Sequence, residues 1–549
     1  MSKVVLLSIN AKYVHSSLAV WVIAAGVSKY AVFPHSVSIV EATINQPDPI
    51  IAEQIMAHQP DFIGISAYIW NARKLPGLLK LLRELLPDAL QVLGGPEASN
   101  NADYWLACGA DYVLCGEGEY TLPILLDRES KGTAPLLSAD CDKYPDTEEG
   151  MQRNRPRDSH THQTVDPYSP EYFARLAGRI AYIETSRGCP FQCAFCLSAG
   201  SGLRFFPVDT AKEQLRKLSE SGTHTVKFVD RTFNCETRRA YELFEYIIAL
   251  DTTCCFHFEV AADLFDARTL ELLATAPPGR IQLEAGLQSF FEPALTAASR
   301  QTNLDKAQQN IRALLRERNI HIHIDLIAGL PYETLHDFQD SFDRAFILGA
   351  HTLQLGFLKL LHGSVLREQA ESMGISYAKE APYEILCSPW LSQEDIQILK
   401  QTENALQHTY NKCRFLSTLE YVRSTTKMRP FSLFQSLGET APNHGTQLDK
   451  YAVQIYDFCV KLSGVDRDEL CDRMTYDWLG MVKGRNMPDF LKHQDSRRSI
   501  AVDIAKKQLG REPRRDEVAV LRSGKGIFAD SENRDPVTGL YTVYYTHCG

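Results

Sequence analysis

The sequence predicts an α/β protein in which two successive series of strands and helices are followed by a mostly helical C-terminal region. Short apolar runs alternate with helical patterns over residues 1–130, and a second alternation begins at Ile180. The alternation stops near residue 365, and most later segments have helical spacing. We therefore expect an N-terminal doubly wound parallel sheet, a second parallel βα array and then a helical domain.

Five β-α units are predicted in the first 130 residues. The predicted strands are Val4–Ile9, Val37–Val40, Phe62–Ile65, Leu90–Leu93 and Tyr112–Leu114. The predicted helices are Leu18–Tyr30, Ile50–Ala57, Leu75–Leu86, Ala102–Cys108 and a last one that starts over Tyr120–Leu126. Units of this length form parallel sheets, and ligands bind beyond the carboxyl ends of the strands.

Polar residues and glycines follow these strands. The candidate ligand-binding residues at the strand ends are Asn10, Lys12, Ser66, Tyr68, Ile69, Gly94, Gly95, Pro96, Glu97, Gly116, Glu117 and Gly118. Glycine allows positive φ and lets the backbone approach a bulky ligand closely. The absence of a GxGxxG motif argues against a dinucleotide as that ligand.

Composition excludes several classes of protein. A hydrophobic content of 44% is ordinary for globular proteins, and the 549 residues suggest roughly three or four domains. The formal net charge of −10 argues against a nucleic-acid-binding surface. No apolar run reaches the ~18 residues of a membrane span, and the N-terminus lacks the flanks of a signal peptide. Fourteen cysteines then indicate reduced thiols, so we expect a cytoplasmic protein.

Residues 131–178 form the predicted linker, because prolines are mixed there with Asp, Thr, Arg and His. His160 and His162 have the spacing of a metal-binding pair, but a solvated tract is the simpler interpretation. The predicted domains are therefore residues 1–130, 179–365 and 366–549.

A CxxxCxxC array is the most informative motif of the chain. It consists of Cys189, Cys193 and Cys196, with Phe195 before the last cysteine and a predicted strand before the first. Three thiolates are one fewer than the four that saturate a tetrahedral zinc or a four-iron cluster. A cubane held by three cysteines keeps one iron open for a substrate or cofactor. Three unrelated free cysteines are the alternative.

The second series contains six predicted strands. These are residues 180–185, 225–229, 256–261, 280–286, 321–328 and 353–358, with helical stretches between them. Candidate site residues again stand at or near strand ends: Asp230, Glu259, Glu284, Gln288, Ser289, Ala328 and Gly329. For any one of these residues, a structural polar role is an equally simple interpretation. In the last third, helices are predicted at Glu394–Leu406, Gln447–Leu462 and Ser499–Leu509, and a short strand at Leu540–Tyr545.

The cysteine motif resembles that of the radical S-adenosylmethionine (SAM) superfamily. Six βα units match the partial (β/α)6 barrel of that superfamily, in which functional residues lie at the carboxyl ends of strands. The strings Gly94–Glu97 and Gly116–Glu119 resemble the cobalamin-binding, Rossmann-like domain that is fused to many radical SAM enzymes. The stretch Asn10–Leu18 resembles a subgroup whose C-terminal domain is of the DUF4080 type, a domain of unknown function.

This resemblance implies a set of cofactors and a role for each candidate residue. Cys189, Cys193 and Cys196 would hold a [4Fe–4S] cluster, and Asp230 would face the cavity as a catalytic residue. Phe195, Glu259, Glu284, Gln288, Ser289, Ala328 and Gly329 would bind SAM. The residues at the N-terminal strand ends would bind cobalamin, with Tyr68, Ile69 and Trp70 below the cobalt unless Tyr68 and Trp70 are core aromatics. The histidine of DxHxxG cobalamin domains is absent, and His15 lacks that context.

The resemblance also implies a reaction. Reductive cleavage of SAM by the cluster would activate a carbon of a substrate, and cobalamin would supply a methyl group to it. The substrate is a small molecule, a peptide or a lipid, and a low-potential donor such as flavodoxin or ferredoxin would reduce the cluster. Two alternatives stay open: a cobalamin-dependent cyclase or rearrangement enzyme without net methylation, and a non-catalytic cobalamin or iron–sulfur sensor.

Overall fold

A five-stranded parallel sheet with helices forms the N-terminal part of the protein. The computed structural model describes residues 1–131, 165–443 and 445–546. The strands are β1 (Ser2–Asn10), β2 (His35–Thr43), β3 (Phe62–Ser66), β4 (Leu90–Gly94) and β5 (Tyr112–Leu114). The helices are α1 (Leu18–Tyr30), α2 (Asp48–Met56), α3 (Leu75–Leu85), α4 (Pro96–Ser99), α5 (Ala102–Ala107) and α6 (Gly118–Lys131). The strand order β2-β1-β3-β4-β5 is that of a doubly wound fold, so the predicted fold class is confirmed here.

Apolar periodicity explains why these elements form. Leu75, Leu78, Leu79 and Leu82 recur along one face of α3, and all four are buried. This spacing forms the stripe by which an amphipathic helix packs on a sheet. Strand β1 is buried from Val4 onwards, as expected of an inner parallel strand covered on both faces.

A helix lies within the segment that the sequence predicts as a linker. Helix α7 (Pro170–Leu176) begins after Ser169, whose side chain accepts a hydrogen bond from the Tyr172 amide. This is an ordinary N-cap followed by proline at the first helical position. His160 and His162 lie outside the described residues.

The second series forms a six-stranded parallel sheet. Its strands are β6 (Ala181–Ile183), β9 (Thr225–Phe228), β10 (Cys255–Val260), β11 (Ile281–Gln288), β12 (His321–Ala328) and β13 (Thr352–Phe357), in the order β13-β12-β11-β10-β9-β6. The helices between them are α8 (Val208–Glu220), α9 (Thr237–Ala249), α10 (Ala267–Ala274), α11 (Glu292–Ala297), α12 (Leu304–Arg316) and α13 (Leu335–Ile347). A short antiparallel pair, β7 (Ser186–Arg187) and β8 (Arg204–Phe205), follows β6. The predicted second parallel array is confirmed.

The C-terminal part is mostly helical, as predicted, but it also contains a small sheet. Its helices are α14 (Val365–Gln369), α15 (Gln393–His408), α16 (Leu416–Thr426), α17 (Pro430–Thr440), α18 (Leu448–Cys459), α19 (Arg467–Met481) and α20 (Arg498–Leu509). Strands β14 (Ser376–Tyr377) and β15 (Ile385–Cys387) pair with each other. An antiparallel sheet consists of β16 (Val518–Val520), β17 (Gly526–Arg534) and β18 (Tyr541–Thr546), of which the sequence predicts only the last strand.

Helix α19 shows why periodicity alone misses some helices. Nine of its residues are buried, including Asp472, Asp477 and Trp478, and they do not form a single stripe. Asp477 accepts hydrogen bonds from the Ser417 and Thr418 amides and from the Thr418 hydroxyl, so burial of a charged residue is compensated by tertiary contacts.

The described residues fall into two compact units. Unit 1 comprises Met1–Phe233, Glu245–Phe258 and Lys359–Ile385, and unit 2 comprises Asn234–Phe244, Glu259–Leu358 and Leu386–Gly549. The predicted domain boundaries stay a prediction. Among the described residues, no helix combines the length and the hydropathy that crossing a bilayer requires.

Candidate functional site

The cysteine motif of unit 1 lies in a closed loop between β7 and β8. Cys193 is buried, whereas Cys189 and Cys196 are half-buried, and none of the three forms a disulfide. The Cys196 amide donates to the Cys193 carbonyl at 2.9 Å, and the Ser198 amide lies 3.4 Å from the Cys196 sulfur. A backbone N–H directed at a thiolate is one way in which proteins adjust iron–sulfur clusters. The donor set therefore fits a cluster held by three cysteines.

A glycine pair closes this loop. Gly188 has a φ of +90°, and a Cβ added there would lie 1.5 Å from the Gly202 carbonyl oxygen. Only glycine fits this close approach. Glycine at position 188 is therefore needed for the backbone packing of the loop, and not for the chemistry of the cysteines.

Two arginines join the cysteine loop to glutamates of the α/β domain. Arg187 pairs with Glu117 at 2.9 Å and with Glu119 at 2.8 Å, and Arg204 pairs with Glu117 at 2.8 Å. Burial opposes the charge of Arg187, but Glu184, Glu119 and Glu117 outweigh it and raise the pKa of the guanidinium. Burial likewise opposes the charge of Glu117, yet Arg187 and Arg204 lower the pKa of its carboxyl. The predicted cobalamin residue Glu117 is thus tied to the predicted cluster loop.

Asp230 is 1% exposed and lies at the carboxyl end of β9. Its carboxylate accepts hydrogen bonds from the Thr185 amide and the Thr185 hydroxyl, both at 2.8 Å, and from the Ser186 hydroxyl. Burial raises the pKa of Asp230 to about 6. These contacts favour a positioning role, in which Asp230 holds the strand end that leads into the cysteine loop. The catalytic role inferred from the sequence stays a prediction.

In unit 2, the polar residues of β11 and β12 share one face of the sheet. Glu284 and Gln288 on β11, and His323 and Asp325 on β12, are half-buried and alternate with fully buried apolar residues. Alternate residues of a strand point to opposite faces. The predicted SAM residues Glu284 and Gln288 therefore line the same, less crowded face, and Glu259 on β10 is half-buried as well.

His323 connects two carboxylates on this face. Its Nε2 lies 2.7 Å from Asp325 Oδ1, and its Nδ1 lies 3.9 Å from Glu284 Oε2. Burial raises the pKa of Asp325, against the influence of His323. Sequence reasoning predicted Glu284 but missed His323 and Asp325, although their period-two spacing within one predicted strand was a usable signal.

A bulge ends strand β11. Register with β12 shifts between Gly286 and Gln288, and Gln288 has a φ of +69°. A Cβ on Gly286 would lie 2.3 Å from the Gln288 side-chain nitrogen, so glycine leaves space for that amide. Ala328, at the end of β12, is fully buried, and Gly329 follows it with a φ of +99°. Bulges commonly redirect a side chain at functional sites, which fits the predicted SAM-binding role of Gln288.

Glu333 supports this bulge from the buried side. The Ser289 hydroxyl donates to Glu333 Oε1 at 2.5 Å, and the Ser341 hydroxyl donates to the same oxygen at 3.2 Å. The Phe291 amide in turn donates to the Ser289 hydroxyl at 2.8 Å. Ser289 is fully buried and committed to these contacts, so its predicted contact with SAM stays a prediction. Sequence reasoning missed Glu333, for which no local pattern gave a signal.

Burial of Glu333 makes stability depend on pH. Burial raises its pKa from the ordinary 4.5 to about 8, so the folded chain retains a proton that the unfolded chain loses. The resulting stabilisation is fully present below pH 4.5 and is lost as the pH rises through 8. Between about pH 6 and pH 9 the loss amounts to roughly 3 kcal/mol. In thermal melts, we expect the Tm of the Glu333→Gln variant to decrease less over this pH range than the Tm of the wild type. Equal pH dependence in both proteins would contradict a raised pKa.

The loops after β1, β3 and β4 contact one another at the carboxyl edge of the N-terminal sheet. The Trp70 indole donates to the Ile9 carbonyl at 3.0 Å, and the Ala67 amide donates to the Gly94 carbonyl at 2.7 Å. Gly95 has a φ of +104°, and a Cβ there would lie 2.7 Å from the Ala67 carbonyl oxygen. The tight glycine-dependent packing gathers three predicted cobalamin segments on one edge.

This edge also carries a pair of stacked aromatic rings. Tyr68 and Trp70 stack with ring centroids 4.3 Å apart and planes 8° from parallel, and Trp70 is 45% exposed. The exposure of Trp70 argues against the core-aromatic interpretation for that residue, whereas Tyr68 is half-buried. Ile69 is half-buried, and Gly116 leaves open space, since a Cβ there would meet no atom within 4 Å. This edge fits a large planar cofactor such as a corrin ring.

The other predicted residues of this edge differ in their surroundings. Lys12 and Pro96 are exposed, and Gly118 is half-buried. Asn10 is buried, and its amide donates to the His15 carbonyl at 3.1 Å. Ser66 lies 3.4 Å from the Leu7 carbonyl. These two buried side chains hold the edge together, and direct contact of either with a ligand stays a prediction.

Two more residues from the sequence analysis remain: His15, which lacks the context of a cobalt-ligating histidine, and the predicted SAM residue Phe195. His15 Nδ1 lies 2.6 Å from the Tyr182 hydroxyl, and burial lowers the pKa of His15. Phe195, in the cysteine loop, is half-buried, and its predicted contact with SAM stays a prediction.

Comparison with known proteins agrees with this arrangement. Residues 4–126 match the family model "B12 binding domain", residues 183–345 match "Radical SAM superfamily", and residues 371–518 match "Protein of unknown function (DUF4080)".

Curated relatives include two different activities. The chain is 24% identical to the "cobalamin-dependent radical SAM methyltransferase TokK" of Streptomyces tokunonensis, over 68% of this chain and 59% of TokK. It is 26% identical to the "anaerobic magnesium-protoporphyrin IX monomethyl ester cyclase" of Cereibacter sphaeroides, over 54% of this chain and 51% of the cyclase. The chain thus spans little more than half the length of these relatives.

A solved structure shares the fold. The radical SAM methyltransferase TsrM of Kitasatospora setae, with cobalamin and a [4Fe–4S] cluster bound, superposes with a TM-score of 0.55 at 19% identity. The match covers 70% of this chain and 79% of TsrM. The resemblance inferred from the sequence is confirmed by the three family models: the chain contains a B12 binding domain, a radical SAM domain and a DUF4080 region.

Proposed function

We propose that this protein is a cobalamin-dependent radical SAM enzyme that methylates an unactivated carbon of a substrate. One observation carries the proposal: a closed loop with three cysteines outside any disulfide and a glycine-lined sheet edge with a stacked aromatic pair occur together in unit 1. A three-thiol donor set leaves a coordination position open, and such an edge is where doubly wound sheets bind cofactors.

The chain would hold three cofactors. Cys189, Cys193 and Cys196 would bind a [4Fe–4S] cluster, the face of β11 and β12 with Gln288 would bind SAM, and the loops after β1, β3, β4 and β5 would bind cobalamin. When bound, these groups supply the electron, the radical and the methyl group of the reaction.

The residues of the chain would contribute positioning. Asp230 would hold the strand end before the cysteine loop, and Glu333 would hold the bulge that presents Gln288. Arg187 and Arg204 would neutralise Glu117 beside the loop, which lowers the cost of burying charge there. The substrate class stays open between a small molecule, a peptide and a lipid. We propose a cytoplasmic location, with flavodoxin or ferredoxin as the electron donor.

A second function is favoured by one comparison. Similarity to the magnesium-protoporphyrin cyclase supports the alternative of a cyclisation without net methylation. A non-catalytic sensor is a third possibility, and it would not require the bulge and polar face of unit 2.

Anaerobic reconstitution distinguishes these functions. The full chain is loaded with iron, sulfide and hydroxocobalamin, and then reductant and SAM are added. We expect about one cobalamin per chain and release of both 5′-deoxyadenosine and S-adenosylhomocysteine. Deoxyadenosine alone, in the presence of a turned-over substrate, would favour the cyclase-type reaction. Failure to retain cobalamin would overturn the function proposed for residues 4–126.

A further inference from the structure

One segment of unit 1 folds back against the N-terminal sheet. We call residues 359–385 the clamp segment. Its two ends meet, since Lys359 pairs with Glu384 in an antiparallel bridge and the Leu360 amide donates to the Tyr383 carbonyl at 2.9 Å. Ala381 and Tyr383 are buried in the same apolar cluster as the core of the N-terminal sheet. The clamp segment is thus part of the packing of that sheet, although it lies more than 200 residues later in the sequence.

Tyr383 contacts the loop after β4 directly. Its hydroxyl donates to Glu97 Oε1, and the two residues are 6% and 5% exposed. The backbone of Glu97 is also engaged, because its amide donates to the Ala67 carbonyl at 3.3 Å and its carbonyl accepts from the Trp105 indole at 3.2 Å. With the backbone of Glu97 held on both sides, the Tyr383 hydroxyl holds the side chain of the predicted cobalamin residue.

Packing within the clamp segment holds Tyr383 in place. The Arg367 guanidinium lies over the rings of Tyr377 and Tyr383, at 5.1 and 4.8 Å from their centroids. The His362 ring packs edge-on against Tyr383 at 5.0 Å. Tyr383 has a φ of +56°, in the left-handed region that a bulky residue rarely adopts. A strained residue of this kind persists only where its surroundings over-determine it, and such residues cluster at functional sites.

The clamp segment also contacts the cysteine loop. The Leu366 amide donates to the Ala194 carbonyl at 2.9 Å, and Ala194 stands between Cys193 and Cys196. Near its start, Gly363 lies so close to α4 that a Cβ there would be 2.2 Å from Asn100 Oδ1. The same short segment therefore contacts both the predicted cluster loop and the end of α4, the helix that includes Glu97.

From these contacts we propose that the clamp segment is part of the cobalamin-binding structure, and that Tyr383 is a positioning residue that holds the Gly94–Glu97 loop for the cofactor. The proposal rests on the proposed function, in which that loop binds cobalamin. It also gives the DUF4080 region a part in that function, because Tyr383 lies inside the matched residues 371–518. The beginning of this region thus acts through Glu97 on the cofactor bound by the N-terminal domain.

The Tyr383→Phe variant of the full, cluster-loaded chain tests this role. The substitution keeps the ring and removes only the hydroxyl that donates to Glu97. Hydroxocobalamin is titrated anaerobically and followed by its visible absorption. We expect an affinity about tenfold weaker than that of the wild type, the effect of losing one hydrogen bond to a carboxyl group. The matched control is Tyr241→Phe on α9, outside the clamp segment. It removes a hydroxyl from a ring that also lies beneath an arginine, Arg268 at 3.9 Å, and it is expected to bind cobalamin like the wild type.

A double variant separates positioning from general damage to the fold. If Tyr383 acts through Glu97, Tyr383→Phe should cause little further loss of affinity in a chain that already carries Glu97→Ala. Additive losses, or equal cobalamin affinity of Tyr383→Phe and the wild type, would overturn the positioning role while leaving the proposed function intact. A wild-type chain that binds no cobalamin would instead overturn the proposed function itself.

Discussion

Replacement of Cys193 by alanine is expected to remove the cluster and abolish SAM cleavage while leaving cobalamin binding intact. Cys193 is the buried member of the three-thiol loop, and a cubane with two protein thiolates lacks a stable donor set. Iron per reconstituted chain should fall from about four to below one, and 5′-deoxyadenosine should not be detected. Cobalamin retention should persist, because its predicted contacts lie on the loops of the N-terminal sheet.

The matched control is Cys387→Ala. Cys387 is a half-buried free thiol on β15, outside the motif, and we expect its loss to change neither the iron content nor SAM cleavage. A Cys193→Ala chain that still produced 5′-deoxyadenosine would show that the cysteine motif is not the cluster site. A wild-type chain that binds iron and cobalamin but never cleaves SAM would favour the sensor interpretation over the enzyme.

Replacement of Arg179 by methionine is expected to lower the free energy of unfolding more than any other substitution proposed for this chain. Arg179 pairs with Glu41, and both side chains are 7% exposed. Arg179 also donates to the Tyr13 carbonyl at 3.1 Å, and Glu41 accepts from the Trp21 indole at 3.3 Å. Removing one partner leaves a buried charge uncompensated, which costs about 3–5 kcal/mol. We expect Tm to fall by roughly 10 °C in a thermal melt of the apo chain.

Two further variants test the cause of this loss. Combining Arg179→Met with Glu41→Gln removes the stranded carboxylate, so the double variant should regain part of the lost Tm. Arg216, which pairs with Glu213 and Glu220 on an exposed face of α8, is the control. Arg216→Met should leave Tm within about 1 °C of the wild type, because exposed ion pairs contribute little. Equal losses for Arg179→Met and Arg216→Met would contradict the buried-charge explanation.

Local sequence signals predicted the architecture well. Strands β1, β3, β4 and β5 and helices α1 and α3 lie within two residues of the predicted bounds, because short apolar runs and helical spacing of apolar residues report burial directly. The antiparallel strands β16 and β17 and the helices α16, α17 and α19 were missed. In α19 the buried residues lie on several sides of the helix, so the sequence shows no single apolar stripe with helical spacing.

The candidate site likewise combines local motifs, which the sequence predicts, with contacts between distant residues, which it does not. The cysteine motif and the glycine-rich strand ends are local, since a cluster loop or a tight turn needs its residues at short, fixed spacings. Glu333, Arg187 and Tyr383 were missed as supporting residues because their partners are distant in the chain; Tyr383 and Glu97 are 286 residues apart. No spacing rule relates two such positions.

The cysteine motif, the order of most elements and the glycines needed for close backbone packing are thus readable from the sequence, because short-range sterics and periodic burial act on neighbouring residues. The polar groups that support them become visible in the folded chain, where Asp230 accepts from Thr185, Glu333 accepts from Ser289 and Tyr383 donates to Glu97. Buried polar groups must find hydrogen-bond partners wherever the fold brings them, and those partners are chosen by the packing of distant elements.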